Sequence, residues 1–95
     1  MRFAWDPGKS SRNLLARRFD FEFAVRIFDG PTLERDDDRV NYVERRVIAI
    51  GVANGLHLTV VYTDRAEPGG VVRRIISARR SSKNERQAYL QVVRQ

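Results

Sequence analysis

The amino-acid sequence predicts an α+β domain in which an antiparallel sheet packs against two N-terminal helices and one C-terminal helix. Three observations lead to this prediction. Helix-capping residues followed by apolar residues at helical spacing occur twice near the start of the chain and once near its end. Between them lie apolar stretches of strand length. Turn sequences join these stretches, and consecutive strands joined by turns pair antiparallel.

Size and composition indicate one domain over residues 1–95. The chain has 95 residues, of which 42% are hydrophobic and 32% charged, so it has enough apolar material for a core. The absence of cysteine excludes disulfides, thiolate catalysis and zinc–thiolate sites. The sequence shows no export signal and no apolar run of membrane-spanning length, so a cytoplasmic location is expected. No cofactor motif occurs, and no cofactor is expected.

The chain is predicted to open with an extended stretch over residues 3–5 and a helix over 7–18. Asp6 is a good N-cap, and the proline after it suits the first helical position because its missing N–H would have no partner there. This helix is expected to bury Leu14 and Leu15.

A second short helix is predicted over residues 21–28. Asp20 can cap it, and its apolar residues recur at helical spacing until Asp29-Gly30-Pro31 ends it. The polar segment Glu34–Arg39 is predicted to be an edge strand or a loop.

Three strands are predicted in the second half of the chain. Val47–Val52 leads through the turn sequence Asn54-Gly55 into Leu56–Tyr62. The segment Asp64–Gly70 is expected to be a flexible loop, and Val71–Arg79 forms the third strand. Strict alternation would place Ile75 and Ala78 on opposite faces of that strand.

A C-terminal helix is predicted over residues 82–94. Ser82 and Glu85 have the spacing of a capping box, in which each side chain bonds the backbone N–H of the other residue. Ala88, Tyr89 and Val92 then follow Glu85 on one face of the helix.

The charge of the chain is concentrated near its C-terminus. Residues 1–70 contain eleven Lys/Arg and eleven Asp/Glu, whereas residues 71–95 contain seven Lys/Arg and only Glu85. Arginine predominates, and its fixed fork of donors suits phosphates and stacking on bases. This pattern favours nucleic acid as partner, and the alternative is a solvated basic face without a ligand.

Arg79, Arg86 and Tyr89 form a candidate cluster where the third strand ends and the last helix begins. The two arginines would bind phosphate and the tyrosine would stack on a base. In the alternative interpretation Tyr89 belongs to the core and Arg86 pairs with surface acids. Further candidate RNA-binding residues are Arg74, Arg80 and Lys83.

No set of His, Asp and Glu residues has the spacing of a metal site, so no metal ion is expected. Cleavage of RNA by its own 2′-hydroxyl remains possible, because the substrate then supplies the nucleophile. Glu44 is a candidate base, and Arg45, Arg79 and Arg86 are candidates to stabilise the charged phosphorane. The sequence therefore permits a metal-independent endoribonuclease.

The order of several short motifs resembles the BrnT toxins of bacterial type II toxin–antitoxin systems. The resemblance runs from Phe3 to Tyr89. Its motifs are Phe3-x-Trp5-Asp6-Pro7-x-Lys9, Asn13-Leu14, Phe21-x-x-Ala24, Val25-x-x-Phe28-Asp29-x-Pro31, Glu44-Arg45, Ile48-x-Ile50-Gly51, Val60-Val61-Tyr62-Thr63, Arg74-Ile75-Ile76-Ser77-Ala78-Arg79 and Glu85-Arg86-x-x-Tyr89.

This resemblance implies a RelE-like fold and a ribonuclease that inhibits translation. It also implies neutralisation by a BrnA-type ribbon-helix-helix antitoxin, with operator DNA bound through the complex. Roles in RNA binding or cleavage carry over to the matching residues, which are Lys9, Glu44, Arg45, Arg79, Arg86 and Tyr89.

Two features depart from the family pattern. Ala16-Arg17 replaces the usual Lys-His near the end of the first helix, and the segment 64–70 is longer than usual. Two alternative functions therefore stay open. One is a non-catalytic nucleic-acid-binding or regulatory module, and the other is a degenerate toxin that acts only as the partner of its antitoxin.

Overall fold

A computed structural model of the chain describes residues 1–39 and 43–93. None of the helices in these two ranges combines the length and the apolar character needed to cross a membrane. The predicted helix end at Arg94 lies outside the described residues. The elements are β1 (Arg2–Ala4), α1 (Pro7–Arg17), α2 (Phe21–Ala24) with a 3₁₀ helix after it (Val25–Asp29), β2 (Leu33–Asp36), β3 (Val47–Ala53), β4 (Leu56–Glu67), β5 (Gly70–Arg80) and α3 (Lys83–Val93).

The five strands form one mixed sheet in the order β1-β5-β4-β3-β2. The strands β2 to β5 pair antiparallel with their neighbours, as predicted. The predicted fold class is confirmed, and the sheet is mixed because β1 pairs in parallel with residues 72–74 of β5. Turn sequences predict pairing only between consecutive strands, so they do not predict the pairing of β1 with β5.

Local capping is confirmed at the starts of all three α-helices. Asp6 and Asp20 accept hydrogen bonds from backbone N–H groups of the first turns of α1 and α2, at 3.2 and 2.9 Å. Ser82 and Glu85 form the reciprocal capping box, with bonds of 2.7 and 3.2 Å. These bonds satisfy N–H groups that have no partner within the helix.

Helix α1 packs against the domain with its polar side. Leu14 and Leu15 are 48% and 82% exposed, so the prediction that they are buried is wrong. Ser10 and Asn13 are buried instead. Their side chains bond the backbone of the segment leading into α2, through Ser10 Oγ with the N–H of residue 21 and Asn13 Nδ2 with the carbonyl of residue 19. The polar side of α1 faces inward because these buried backbone groups require hydrogen-bond partners.

The main core lies between one face of the sheet and the α2 segment with its 3₁₀ helix. Leu58, Val60 and Tyr62 alternate along β4 into this core, as the period of two predicts. Gly51 lets the 3₁₀ helix approach, because a Cβ atom at this position would lie 2.8 Å from the Cβ of Ile27. The helix and the strand therefore pack at backbone distance.

Strand β5 does not alternate strictly. Its register with β4 shifts between Val61 and Tyr62, which pair with Ser77 and Ile75 respectively. The intervening Ile76 is therefore a bulge, and a bulge reverses the alternation beyond it. As a result Ile75 and Ala78 are both buried in the main core, and the prediction of opposite faces is wrong.

The β4–β5 hairpin extends through the segment that was expected to be a flexible loop. Pairing continues to Glu67 with Gly70, so Pro68 and Gly69 alone form the turn. An ion pair between Arg73 and Asp64, with Nε and Oδ1 2.8 Å apart, joins the strands within this polar part. The expectation of a loop is wrong because polar residues on an exposed hairpin resemble loop residues in composition.

Helix α3 covers the other face of the sheet at the β2–β3 side. Tyr89 is buried at 6% exposure. Its hydroxyl donates to the carbonyl of Pro31 at 2.9 Å, and its ring meets His57 edge-on. Because α3 covers only this side, Ser77 and Arg79 of β5 stay exposed on the same face.

Candidate nucleic-acid interface

A basic groove runs between helix α1 and strands β4 and β5. It consists of two adjacent cavities of about 200 and 260 Å³, which share Lys9 and Ile76 in their walls. We call it the α1 groove. Its basic side chains are Lys9, Arg12, Arg17, Arg46, Arg65 and Arg74, and its acidic ones are Asp6 and Glu44.

The α1 groove brings together three of the predicted site residues. Lys9, Glu44 and Arg74 all line its smaller cavity, although they come from α1, from the segment before β3 and from β5. Glu44 also pairs with Arg46, whose Nη2 lies 3.5 Å from Glu44 Oε1. The cavity thus holds two carboxylates, those of Asp6 and Glu44, among several cations. Such an arrangement can accept a proton beside a bound phosphate.

Arg46 belongs to this site and was missed by the sequence interpretation, which selected Arg45. Side chains two residues apart point the same way in extended chain, so a wall containing Glu44 also contains Arg46. Arg45 points away, and its Nε donates to Asp36 Oδ1 at 2.8 Å. This hydrogen bond raises the pKa of Arg45 above its ordinary value. The alternating directions of the side chains along residues 44–46 predict that Arg46 lies on the same side as Glu44.

Arg17 closes the far end of the groove. Its Nη1 donates to Asn13 Oδ1 at 3.0 Å and to the carbonyl of Ala78 at 3.2 Å. The second bond occupies an acceptor on the outer edge of β5, beyond the residues that pair with β1. Arg17 therefore ties α1 to the sheet.

Arg79 lies outside the α1 groove and is bound to Glu85. Its two terminal nitrogens donate to the two carboxylate oxygens, each at 2.8 Å. Glu85 also accepts from the backbone of Ser82 and the hydroxyl of Thr59. The bond with Arg79, chiefly, lowers the pKa of Glu85 to about 2, and the same bond raises the pKa of Arg79. This pair fastens the start of α3 to the sheet.

The predicted cluster of Arg79, Arg86 and Tyr89 does not present a stacking surface. Tyr89 lies on the buried side of α3 and is 6% exposed, so its ring has no open face for a base. Arg86 is exposed, and its Nη1 donates to the carbonyl of Ser81 at 3.1 Å. The predicted residues Arg80 and Lys83 are exposed at the end of β5 and the start of α3.

One member of the basic C-terminal quarter is used inside the fold. The guanidinium carbon of Arg73 lies 3.9 Å from the ring centre of Tyr62 and 4.9 Å from that of Phe28. Burial, chiefly, and a hydrogen bond to Glu34 raise the pKa of Tyr62 to about 12. The net charge of this quarter therefore overstates the number of cations available to a ligand.

Metal-binding clusters are not found among residues 1–39 and 43–93, where no three His, Cys, Asp or Glu side chains are placed to hold an ion. The described part of the α1 groove offers cations and a carboxylate pair instead.

The chain matches a protein-family model over most of its length. A family model described as "Ribonuclease toxin, BrnT, of type II toxin-antitoxin system" matches residues 5–85. This range includes every element from α1 to β5 and the α3 capping box. A search of curated proteins found no match. The family match agrees with the resemblance seen in the sequence motifs.

Proposed function

Because the chain belongs to the BrnT family of type II ribonuclease toxins, we propose that the α1 groove binds and cleaves its RNA substrate. The observation that supports this proposal is the position of Glu44 beside Lys9, Arg46 and Arg74 in one open cavity. The cations would hold the phosphate backbone, and the carboxylate would act on the adjacent ribose. Membership of the family also implies a cognate antitoxin.

The chemistry begins at the 2′-hydroxyl next to the scissile phosphate. Glu44 takes the hydroxyl proton while the 2′-oxygen forms a bond to phosphorus. Lys9 and Arg74 stabilise the extra negative charge of the phosphorane. The bond from phosphorus to the 5′-oxygen then breaks, and this oxygen takes a proton from water. The products are a 2′,3′-cyclic phosphate and a 5′-hydroxyl.

Cleavage by this route is metal-independent, because the substrate supplies its own nucleophile and the protein supplies only acid–base and charge stabilisation. The other predicted cations have supporting roles in the proposal. Arg79, Arg80, Lys83 and Arg86 contact phosphates away from the scissile bond, and Arg45 adds to the field around the groove. Tyr89 acts indirectly by fixing α3.

In the cell, cleavage of RNA would inhibit translation. A BrnA-type ribbon-helix-helix antitoxin would neutralise the toxin, and the complex would bind operator DNA through the antitoxin. The expected cytoplasmic location follows, because the RNA that is being translated is found there.

The structure also gives a reason to consider a toxin of reduced activity. Arg17 stands where the family pattern has histidine, and it is engaged with Asn13 and the edge of β5. A guanidinium only donates hydrogen bonds and has no free acceptor nitrogen, unlike the imidazole of histidine. If the family's histidine takes part in catalysis, this chain would bind RNA and its antitoxin while cleaving slowly or not at all.

RNA binding and cleavage by Lys9→Ala and Arg74→Ala distinguish these functions. Loss of a donor that acts in the transition state should lower the cleavage rate by about 10²–10³, with a much smaller loss of RNA affinity. Arg35→Ala is the matched control, because Arg35 lies on β2 at the opposite edge of the sheet. Equal cleavage by all three variants would reject the α1 groove as the site. Equal loss of affinity and cleavage would instead indicate binding without a catalytic role for these two residues.

A further inference from the structure

The outer side of α1 carries two exposed leucines, Leu14 and Leu15, next to Phe19 of the core and to Phe23 and Leu56, which pack against the core. Leu14 lines a cavity of about 260 Å³ together with Phe19, Phe23 and Leu56. Leu15 follows on the same helix and is the more exposed of the two leucines. We call these five residues the outer patch.

A partner could cover the outer patch, because the fold leaves Leu14 48% and Leu15 82% exposed. The side of α1 that packs inward is polar and is held by hydrogen bonds of Ser10 and Asn13. Two large apolar residues on the outer side of an 11-residue helix therefore remain in contact with water. Contiguous exposed apolar surface with a polar rim is typical of sites for protein partners.

The rim of the outer patch is basic. Arg18 and Arg80 line the same cavity, and the guanidinium carbon of Arg26 lies 5.2 Å from the ring centre of Phe23. The acid at this rim, Asp20, is occupied as the N-cap of α2, where it accepts from a backbone N–H. The rim thus presents cations around an apolar centre.

We propose that the outer patch is the docking site for an acidic, amphipathic helical segment of the cognate antitoxin. This inference rests on membership of the toxin family, which implies a cognate antitoxin, and not on the proposed RNA chemistry. Apolar side chains of the segment fill the cavity beside Leu14, and its carboxylates face the basic rim. A second copy of this chain fits less well, because it would bring two basic rims together.

The location also accounts for neutralisation. The α1 groove and the outer patch lie on different sides of α1, with Lys9, Arg12 and Arg17 facing the groove and Leu14 and Arg18 facing the patch. An acidic segment bound on the patch lies alongside the groove and repels RNA phosphates from it. The antitoxin therefore weakens RNA binding without itself filling the site.

Leu14→Asp tests this proposal, with Leu90→Asp as its matched control. The two leucines are 48% and 46% exposed, and each lies on an α-helix of 11 residues. The probe is the purified full-length antitoxin encoded beside this chain, titrated against each variant. We expect Leu14→Asp to bind about 30-fold more weakly than the parent, and Leu90→Asp to bind within about twofold of it. The parent's affinity should fall as salt rises.

Equal antitoxin affinity for Leu14→Asp and Leu90→Asp would overturn the proposal, as would an affinity that does not depend on salt. A parent dimer that Leu14→Asp converts into a monomer without antitoxin would assign the patch to a second copy and overturn it too. Leu15→Asp, at a more exposed position, repeats the test if Leu14→Asp melts early. Failure of the RNA proposal is seen separately, as absence of cleavage by the parent.

Discussion

Replacing Glu85 with Gln should destabilise the domain in a way that depends on pH. The bond to Arg79 and the other contacts of Glu85 lower its pKa from 4.5 to about 2. At about 1.4 kcal/mol per pKa unit, the carboxylate contributes at most about 3.5 kcal/mol of folding free energy. Its side chain is 16% exposed but that of Arg79 is 46% exposed. Solvent screening therefore reduces the expected loss to roughly 1–2 kcal/mol.

The sign of the pH dependence follows from the lowered pKa. A carboxylate of this kind stabilises the fold above its unfolded pKa, and the contribution is lost as pH falls through the folded pKa. The stability gap between parent and Glu85→Gln should therefore be full at pH 7 and should close between pH values near 4.5 and 2. Gln can still serve in the capping box, so the variant mainly tests the ion pair.

Thermal unfolding followed by circular dichroism measures this effect. For a domain of this size the melting temperature of Glu85→Gln should be lower at pH 7 by roughly 5–15 °C. Glu22→Gln is the matched control, because Glu22 is an exposed acid in the first turn of α2. The reasoning would be refuted if Glu85→Gln melted like the parent at pH 7, or if the gap stayed constant down to pH 2.

Two further substitutions test the packing. Gly51→Ala would place a Cβ atom 2.8 Å from that of Ile27 and should lower the free energy of unfolding in urea by about 1–3 kcal/mol. Gly30→Ala is the control, because a Cβ atom there has nothing within 4 Å, and it should lower this free energy far less. Similar losses for the two variants would contradict the close approach. Tyr89→Phe removes the bond to Pro31 and should lower stability by about 1 kcal/mol while RNA cleavage stays at the parent rate, so a large loss of cleavage in a folded Tyr89→Phe would restore the catalytic role predicted from the sequence.

Features set by neighbouring residues could be predicted from the sequence. Asp6, Asp20 and the pair Ser82 and Glu85 cap their helices as expected, because a cap needs only a side chain and an N–H two or three residues away. Asn54 and Gly55 both have positive φ, at 48° and 82°, as a tight hairpin turn requires. These interactions depend little on the rest of the fold.

Features set by distant residues could not be predicted. The exposed leucines of α1 result from competition with Ser10 and Asn13 for the inner side of the helix, and the backbone groups that decide it belong to the next segment. The bulge at Ile76 is defined only by pairing with Val61 and Tyr62. The periodicity of apolar residues in a helix or a strand predicts neither the exposed leucines nor the bulge.

The candidate site shows the same division. The basic character of the chain indicates a polyanion partner. The sequence marks Lys9, Glu44 and Arg74 as separate candidates, and the fold unites them in the α1 groove. Net charge does not reveal that Arg73 stacks on Tyr62 of the neighbouring strand. It also does not reveal that Arg79 of β5 is bound to Glu85 of α3. The sequence gives the number of cationic residues, but only the fold shows which of them are free to contact a ligand.

Single-turnover cleavage of RNA by Glu44→Gln tests the proposed site most directly. Gln keeps the size and polarity of the side chain but cannot accept the 2′-hydroxyl proton. The account predicts a cleavage rate lower by about 10²–10⁴, with RNA affinity unchanged or raised, because a negative charge is removed from the α1 groove. A folded Glu44→Gln that cleaves RNA at the parent rate would contradict the assignment of Glu44 as the base and of the α1 groove as the place where RNA is cut.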